Sequence, residues 1–426
     1  MADEFKAIYD DLLKCNRCGY CQTECPTYKA TGKEILAARG HHAYFRDIIE
    51  GRLKFTRKMK GHLYDCTLCR ACVPPCMPAV PTDKIIVKAR EAFIKRFGLR
   101  IDKRVAFRLL LSHPGWLALL VKGVGILQRL GFARLAQAAR IIPASGERLS
   151  FAAALLPRIP YKNLRQRLRA NPPKPPEKVR YRLLYFIACG YNFALPEVGE
   201  ATLRVLYRAG CQVTVAENVC CGLPAYAEGD LEGARRLARK NISRLEAFEG
   251  DAIVSDCASC SSFLKEYRHL LSDGDLAPKA ERFAKMVMDI NEFLAPLIDS
   301  LGLKKEIQAR VTFHSPCHLG RYQGIREQPR ALLKAIPGVE FREMAEAEMC
   351  CGAAGTYGVE HPEVSKAILG RKMENLRQSR AEILATSCPA CMIQLGHGVR
   401  GEGLGTKVAH ITELLDESFN FETLTP

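Results

Sequence analysis

The sequence predicts a multidomain α+β protein: an N-terminal helical domain organised by cysteines, a basic helical connector, and two repeated α/β domains with parallel sheets. Three observations carry that prediction. Of 19 cysteines, all but one fall into two kinds of regular cluster. The second kind recurs at a nearly constant offset, so the C-terminal half is a duplication. Between the two kinds lies a stretch that holds most of the net charge of +17. The chain has 426 residues, 48% of them hydrophobic, which is enough for several buried cores. That apolar fraction and the aperiodic glycines exclude a collagen-like or wholly disordered chain. The boundaries read as 1–100, 101–180, 181–300 and 301–426.

The first element is Cys15-x2-Cys18-x2-Cys21-x3-Cys25-Pro26, repeated as Cys66-x2-Cys69-x2-Cys72-x3-Cys76. This is the spacing of bacterial two-cluster ferredoxins. Three thiolates, each three positions from the next, wrap one [4Fe-4S] cubane on a tight loop. The fourth is too far round to close the same site and crosses to the partner cluster. The spacing therefore assigns Cys15, Cys18, Cys21 and Cys76 to one cubane, and Cys66, Cys69, Cys72 and Cys25 to the other. Soft, negatively charged thiolates suit iron. A four-cysteine zinc site needs only two Cys pairs and would leave ligands of each triplet unused. Met77 follows Cys76 where the pattern has proline, and Pro75 precedes it, but no ligand is lost.

Helices are expected around these loops. Phe5, Ile8, Tyr9 and Leu12 form the buried face of one before Cys15. Ile35, Leu36, Tyr44, Phe45, Ile48 and Ile49 have helix-like apolar spacing. Thr82 reads as the cap of a helix carrying Ile85, Ile86, Ala89, Phe93 and Ile94.

Residues 101–180 carry 16 lysines and arginines against three acids. If 116–140 is helical, Lys122, Arg129 and Arg140 project within about 20° of one another. Trp116, Leu120, Val124 and Leu127 line another stripe. Such an element can lie on anionic lipid or clasp an acidic partner protein, or it can be a connector with a solvated basic face. Nucleic acid is not expected, because no recognition motif accompanies the charge. Pro172, Pro173, Pro175 and Pro176 mark a linker into the repeats.

One repeat runs Cys189-x30-Cys220-Cys221-x35-Cys257-x2-Cys260, the other Cys317-x32-Cys350-Cys351-x36-Cys388-x2-Cys391. Corresponding cysteines are offset by 128 to 131 residues, the mark of duplicated domains. Glycine follows each vicinal pair (Gly222, Gly352), as expected where backbone approaches a crowded site. Strands are expected at Leu183–Ile187, Gln212–Ala216 and Ala252–Ser255, and again near Val311–Phe313, Glu340–Glu343 and Ile383–Ala385. Helices at 197–209, 230–247, 327–336 and 362–379 alternate with them, which reads as a parallel three-layer unit. Cysteines at strand C-termini fit where such sheets bind ligands. Five thiolates exceed what a closed cubane uses, so each set implies an opened cluster, or a four-cysteine site plus a bystander. Cys211 matches no repeat position and reads as a small buried hydrophobe.

Together these motifs resemble the iron–sulfur subunit of glycolate oxidase and D-lactate dehydrogenase complexes. The layout is also similar to the iron–sulfur subunit of anaerobic glycerol-3-phosphate dehydrogenase. The C-terminal half resembles the heterodisulfide reductase catalytic subunit, with its two "CCG" cysteine-rich domains. CNRCGYCQTECPTY and Ala38-Arg39-Gly40 look closest to the glycolate oxidase type. The resemblance implies that Cys189, Cys220, Cys221, Cys257 and Cys260 hold one non-cubane [4Fe-4S] cluster. Cys317, Cys350, Cys351, Cys388 and Cys391 would hold another.

No dinucleotide fingerprint, Walker loop or haem motif is present. Hydride chemistry therefore falls to a partner, which the resemblance implies is a flavoprotein dehydrogenase subunit carrying FAD. The expected role of this chain is an electron relay within an oxidoreductase complex, from a 2-hydroxy acid to a quinone or other acceptor. Disulfide reduction at the non-cubane clusters and a structural zinc protein are the competing readings. His314 and His318 flank Cys317 and are candidates for hydrogen bonding to a cluster sulfur or for proton transfer, or for a local turn contact. Tyr191 and Tyr357 read as packing. No signal peptide is expected from the acidic opening, and the most apolar run, between Arg108 and Lys122, has 13 uncharged residues. A spanning helix needs roughly 20. A cytoplasmic chain is expected, soluble or peripheral on the cytoplasmic side of the membrane, its cysteines serving metals rather than disulfides.

Overall fold

A computed structural model of the chain describes residues 2–131, 147–172 and 175–419. The side chains of residues 2–7, 147 and 149 are not part of that description, so the expected roles of Phe5 and Arg140 lie outside the described residues.

The N-terminal domain is helical. Helices Ala2–Leu13, Ala38–Ile49 and Thr82–Phe97 bring Ile8, Leu12, Phe45, Ile85, Ile86 and Phe93 into one core. Each such side chain contributes about 1.5–3 kcal/mol on full burial. Two local expectations need correction. Ile35 and Leu36 stand in a separate 3₁₀ turn, Glu34–Leu36, because the chain turns extended at Ala37 before the helix begins. Thr82 is the first helical residue rather than the cap. Pro81 holds the cap position without a side-chain bond, and the Thr82 hydroxyl lies 3.0 Å from His42 Nε2 instead.

Each repeat is a four-stranded parallel sheet. The first contains β1 (Tyr181–Tyr185), β2 (Cys211–Val215), β3 (Ala252–Ser255) and β4 (Val287–Asp289) in the order β2-β1-β3-β4. The second contains β5 (Ala309–Phe313), β6 (Val339–Phe341), β7 (Ile383–Thr386) and β8 (Lys407–His410) in the order β6-β5-β7-β8. The chain leaves β1 to one side and returns across it to β3. With right-handed crossovers this puts helices on both faces and a topological switch point at the C-terminal ends of β1 and β3. The sequence signalled three strands per copy. The fourth of each is an edge strand of three or four residues, and β4 follows directly on helix Ala277–Met286 with no turn residue to mark it. The first strand begins two residues earlier than expected.

The two repeats share one core, in which Leu183, Val254 and Ile290 of the first pack with Val311, Phe313 and Leu384 of the second. Helix Pro196–Arg208 meets helix Ile411–Glu417 through Thr202 Oγ1 and Thr412 Oγ1 at 3.0 Å and the Arg204–Asp416 ion pair at 2.6 Å. Cys211 is fully buried in this core, as its apolar reading implied.

The connector begins with Ile101–Val105, widens at Ala106–Leu110, and turns into helix Pro114–Arg129. Lys103 is buried and pairs with both Glu228 of the first repeat (2.5 Å) and Glu360 of the second. The expected helix over 116–140 runs from Pro114 to Arg129 in its described part. Lys122 and Arg129 are exposed, and so are Trp116, Leu120 and Leu127 of the apolar stripe, while Val124 is half-buried. Among the described residues no single helix is long and apolar enough to cross a membrane; Ile101–Leu110 and Pro114–Arg129 pass on length and composition only as a pair bent by 119°.

Candidate metal centres

The repeat cysteines sit where the strands end. Cys189 opens a helix four residues after β1, Cys257 caps helix Ala258–Lys265 after β3, and Cys260 lies in that helix's first turn. In the second copy Cys317 opens helix Cys317–Gln323, Cys388 caps helix Pro389–Gly401, and Cys391 follows within a turn. The vicinal pairs come from the loops after β2 and β6. Gly222 and Gly352 have φ of +99° and +85°, and a Cβ on Gly352 would meet Ser365 O at 2.9 Å. Only glycine lets these loops turn tightly behind their cysteines.

All ten repeat cysteines, together with Cys66, line a single chamber of about 430 Å³. Cys351 Sγ lies 3.5 Å from Cys391 Sγ. The two copies meet across the chamber: Ala258 N–H donates to Ser387 O at 2.9 Å, and Ser259 Oγ lies 3.4 Å from Cys388 Sγ. Neighbouring thiols hold three of these cysteines well below the ordinary thiol value. Cys220 and Cys260 act on Cys221, Cys350 and Cys391 on Cys351, and Cys257 and Cys391 on Cys388. The same neighbours raise the pKa values of Cys260 and Cys391, and burial raises that of Cys257. A buried nest of thiols, some pushed toward thiolate and none disulfide-bonded, is a donor set that fits a soft cation.

The N-terminal cysteines are arranged differently. Cys15, Cys18, Cys21, Cys72 and Cys76 line a small cavity with Ala38, Arg39, His42 and Thr82. Cys25, Cys66 and Cys72 form a second neighbourhood with Cys69. Burial and then the charges of neighbouring thiols raise all three, Cys66 to about 12. Such thiols bind as thiolates when a cation offsets the burial cost. Leu68 N–H donates to Cys66 Sγ at 3.4 Å, and Gly352 N–H to Cys350 Sγ at 3.4 Å, the backbone donors that tune sulfur ligands.

Cys69 touches the other kind of set. It packs against Cys350, whose thiol is the main cause of its strongly raised pKa, with Ala71 and Cys317 beside them. Tyr322 Oη donates to Leu68 O at 2.8 Å, and Lys29 pairs with Glu346 at 2.7 Å, fixing the N-terminal domain against the second repeat. Spacing gave no sign of this junction, since its partners lie more than 250 residues apart. Lys372 was also missed. It is fully buried beneath the Cys350 loop, its Nζ donating to Ala347 O at 3.3 Å, and burial lowers its pKa to about 8. Aligning the two copies would have singled it out, because Asn241 stands at that place in the first.

Both singled-out histidines reach the second set. His318 Nδ1 lies 3.5 Å from Cys317 Sγ, its ring stacked on Tyr322 at 4.4 Å. His314 is buried beside Cys351 and Cys391. Tyr191 packs edge-on against His410 at 5.4 Å, and Tyr357 stacks on His361 at 4.8 Å.

Known proteins share this arrangement. The 4Fe-4S dicluster domain description matches residues 11–79, and the cysteine-rich domain description matches 183–265 and 311–396. The probable glycolate oxidase iron–sulfur subunit of Bacillus subtilis is 32% identical over 99% of this chain and 97% of its own length. The chain belongs to the glycolate-oxidase/lactate-utilization family of iron–sulfur proteins. Within this family, the glycolate oxidase iron–sulfur subunit of Escherichia coli is 27% identical over 97% of this chain and 96% of its own. Lactate utilization protein A of Oceanobacillus iheyensis is 33% identical over 54% of this chain and 95% of its own. Membership makes the chain an iron–sulfur electron-transfer subunit of an oxidoreductase complex.

Proposed function

We propose that the chain is the relay subunit of a flavin-dependent 2-hydroxy acid dehydrogenase, connecting an FAD-bearing partner to a quinone or other acceptor. In this reading Cys15, Cys18, Cys21 and Cys76 hold one [4Fe-4S] cubane, and Cys66, Cys69, Cys72 and Cys25 the other. Cys189, Cys220, Cys221, Cys257 and Cys260 hold a non-cubane [4Fe-4S] cluster, and Cys317, Cys350, Cys351, Cys388 and Cys391 a second. Bound there, the clusters supply one-electron exchange. The protein's part is to hold them close together. The packing of Cys69 against Cys350 carries the reading, because it joins the N-terminal cysteines to the chamber through side chains in contact. Partly exposed N-terminal cysteines suit exchange with a docked flavoprotein, while most of the repeat cysteines behind them are buried.

The exposed apolar and basic residues of the connector support peripheral contact with an anionic membrane, where a quinone is met. Anaerobic co-purification from the native host tests the whole reading. Recovery of a flavoprotein that makes acceptor reduction depend on glycolate or lactate is the expected result. Recovery with a glycerol-phosphate dehydrogenase or a disulfide-reducing partner overturns it.

A further inference from the structure

The two repeats match in the backbone bonds beyond their first strands but differ in the residue placed there. Phe186 N–H donates to Val254 O at 2.9 Å, and Phe186 O accepts from Ser255 Oγ at 3.1 Å. His314 makes the matching pair: its N–H donates to Ala385 O at 2.9 Å, and its carbonyl accepts from Thr386 Oγ1 at 3.0 Å. The backbone thus places Phe186 and His314 at equivalent points beyond β1 and β5. Phe186 is wholly buried and offers no donor atom. His314 is 1% exposed, and its Nδ1 is buried without a hydrogen-bond partner. One of its ring nitrogens and the sulfurs of Cys351 and Cys391 all lie within 4.8 Å of one another. Imidazole nitrogen is a common iron ligand. His318 is the weaker candidate, since its ring is taken up by Cys317 and Tyr322.

We propose that His314 is a nitrogen ligand to the cluster of the second repeat, making that site five thiolates and an imidazole where the first repeat has thiolates alone. A neutral imidazole adds a donor without adding negative charge, so the two repeats hold electronically distinct clusters.

The inference rests on the iron–sulfur assignment above, and iron and acid-labile sulfide analysis of the same sample tests that assignment separately. Pulsed EPR on the anaerobically purified full chain reads the ligand directly. The expected result is a strong, direct-bond ¹⁴N coupling that converts to the ¹⁵N pattern when histidine is labelled. It should vanish in both His314→Phe and His314→Gln and persist in His318→Phe. A fully iron-loaded wild type without that coupling overturns the proposal. So does coupling retained in His314→Phe, or lost only in His318→Phe.

Discussion

The eight N-terminal cysteines and the ten repeat cysteines offer the same donor atom in opposite surroundings. In the N-terminal domain Cys18 is exposed, six others are half-buried and only Cys69 is buried; in the repeats eight are buried, leaving Cys189 and Cys317 half-buried. The first group hangs on loops between short helices. The second is fixed near the ends of parallel strands, facing a chamber lined by both copies and by the N-terminal domain. The difference teaches that the fold gives the same side chain two environments: one set is partly open to the surface, the other is mostly buried, and Cys69 is where they touch.

The largest expected effect breaks the buried set. Cys351→Ala removes a thiol that contacts both Cys350 and Cys391, and should cost the second repeat its cluster, about a quarter of the iron by analysis. The N-terminal EPR signals should stay. Chelation sharpens the contrast: iron should leave the wild type in a fast phase from the N-terminal sites and a slow one from the chamber. Lys103→Met should blur it. Removing the buried cation leaves Glu228 and Glu360 without their partner at the junction of three domains, a loss of about 3–5 kcal/mol. Urea unfolding should report that loss, the two chelation phases should merge, and adding Glu228→Gln and Glu360→Gln should restore much of the stability.

The repeat side also carries a pH signature. His410 is buried at the contact between repeats, its Nε2 3.0 Å from Asp256 O, and burial lowers its pKa to about 4. The unfolded chain takes up that proton near the ordinary 6.5, so stability is full above this pH and falls as pH drops toward about 4. In His410→Gln the fall should be shallower, measured by denaturant titration at several pH values above 5. The smallest effect on stability belongs to the connector. Leu119 is 63% exposed, and Leu119→Asp should change stability by less than about 0.5 kcal/mol. Binding to anionic phospholipid vesicles should nevertheless be lost; unchanged binding would leave the basic face as a solvated connector.

Much of this was legible in the sequence. Cysteine spacing and the duplication gave the fold class, because cysteines on short loops and strand ends leave local signatures. Ala252–Ser255 was placed to the residue, bounded as it is by Asp251 and Asp256. β4 and β8 were not seen, since three or four residues at a sheet edge carry too little periodicity. Thr82 misled for a local reason, with Pro81 already fixing the helix start. The Lys103–Glu228–Glu360 bridge, the Cys69–Cys350 junction and the shared chamber are long-range contacts that no spacing encodes. Comparing the copies position by position is the signal that finds His314 and Lys372.

The most direct measurement is metal and sulfide analysis, with EPR, of the full chain purified without oxygen. The account predicts brown protein with roughly four irons for each of the four cysteine sets, acid-labile sulfide, and signals from two distinct kinds of cluster. Folded, colourless protein containing zinc, or little iron and no sulfide, would contradict it.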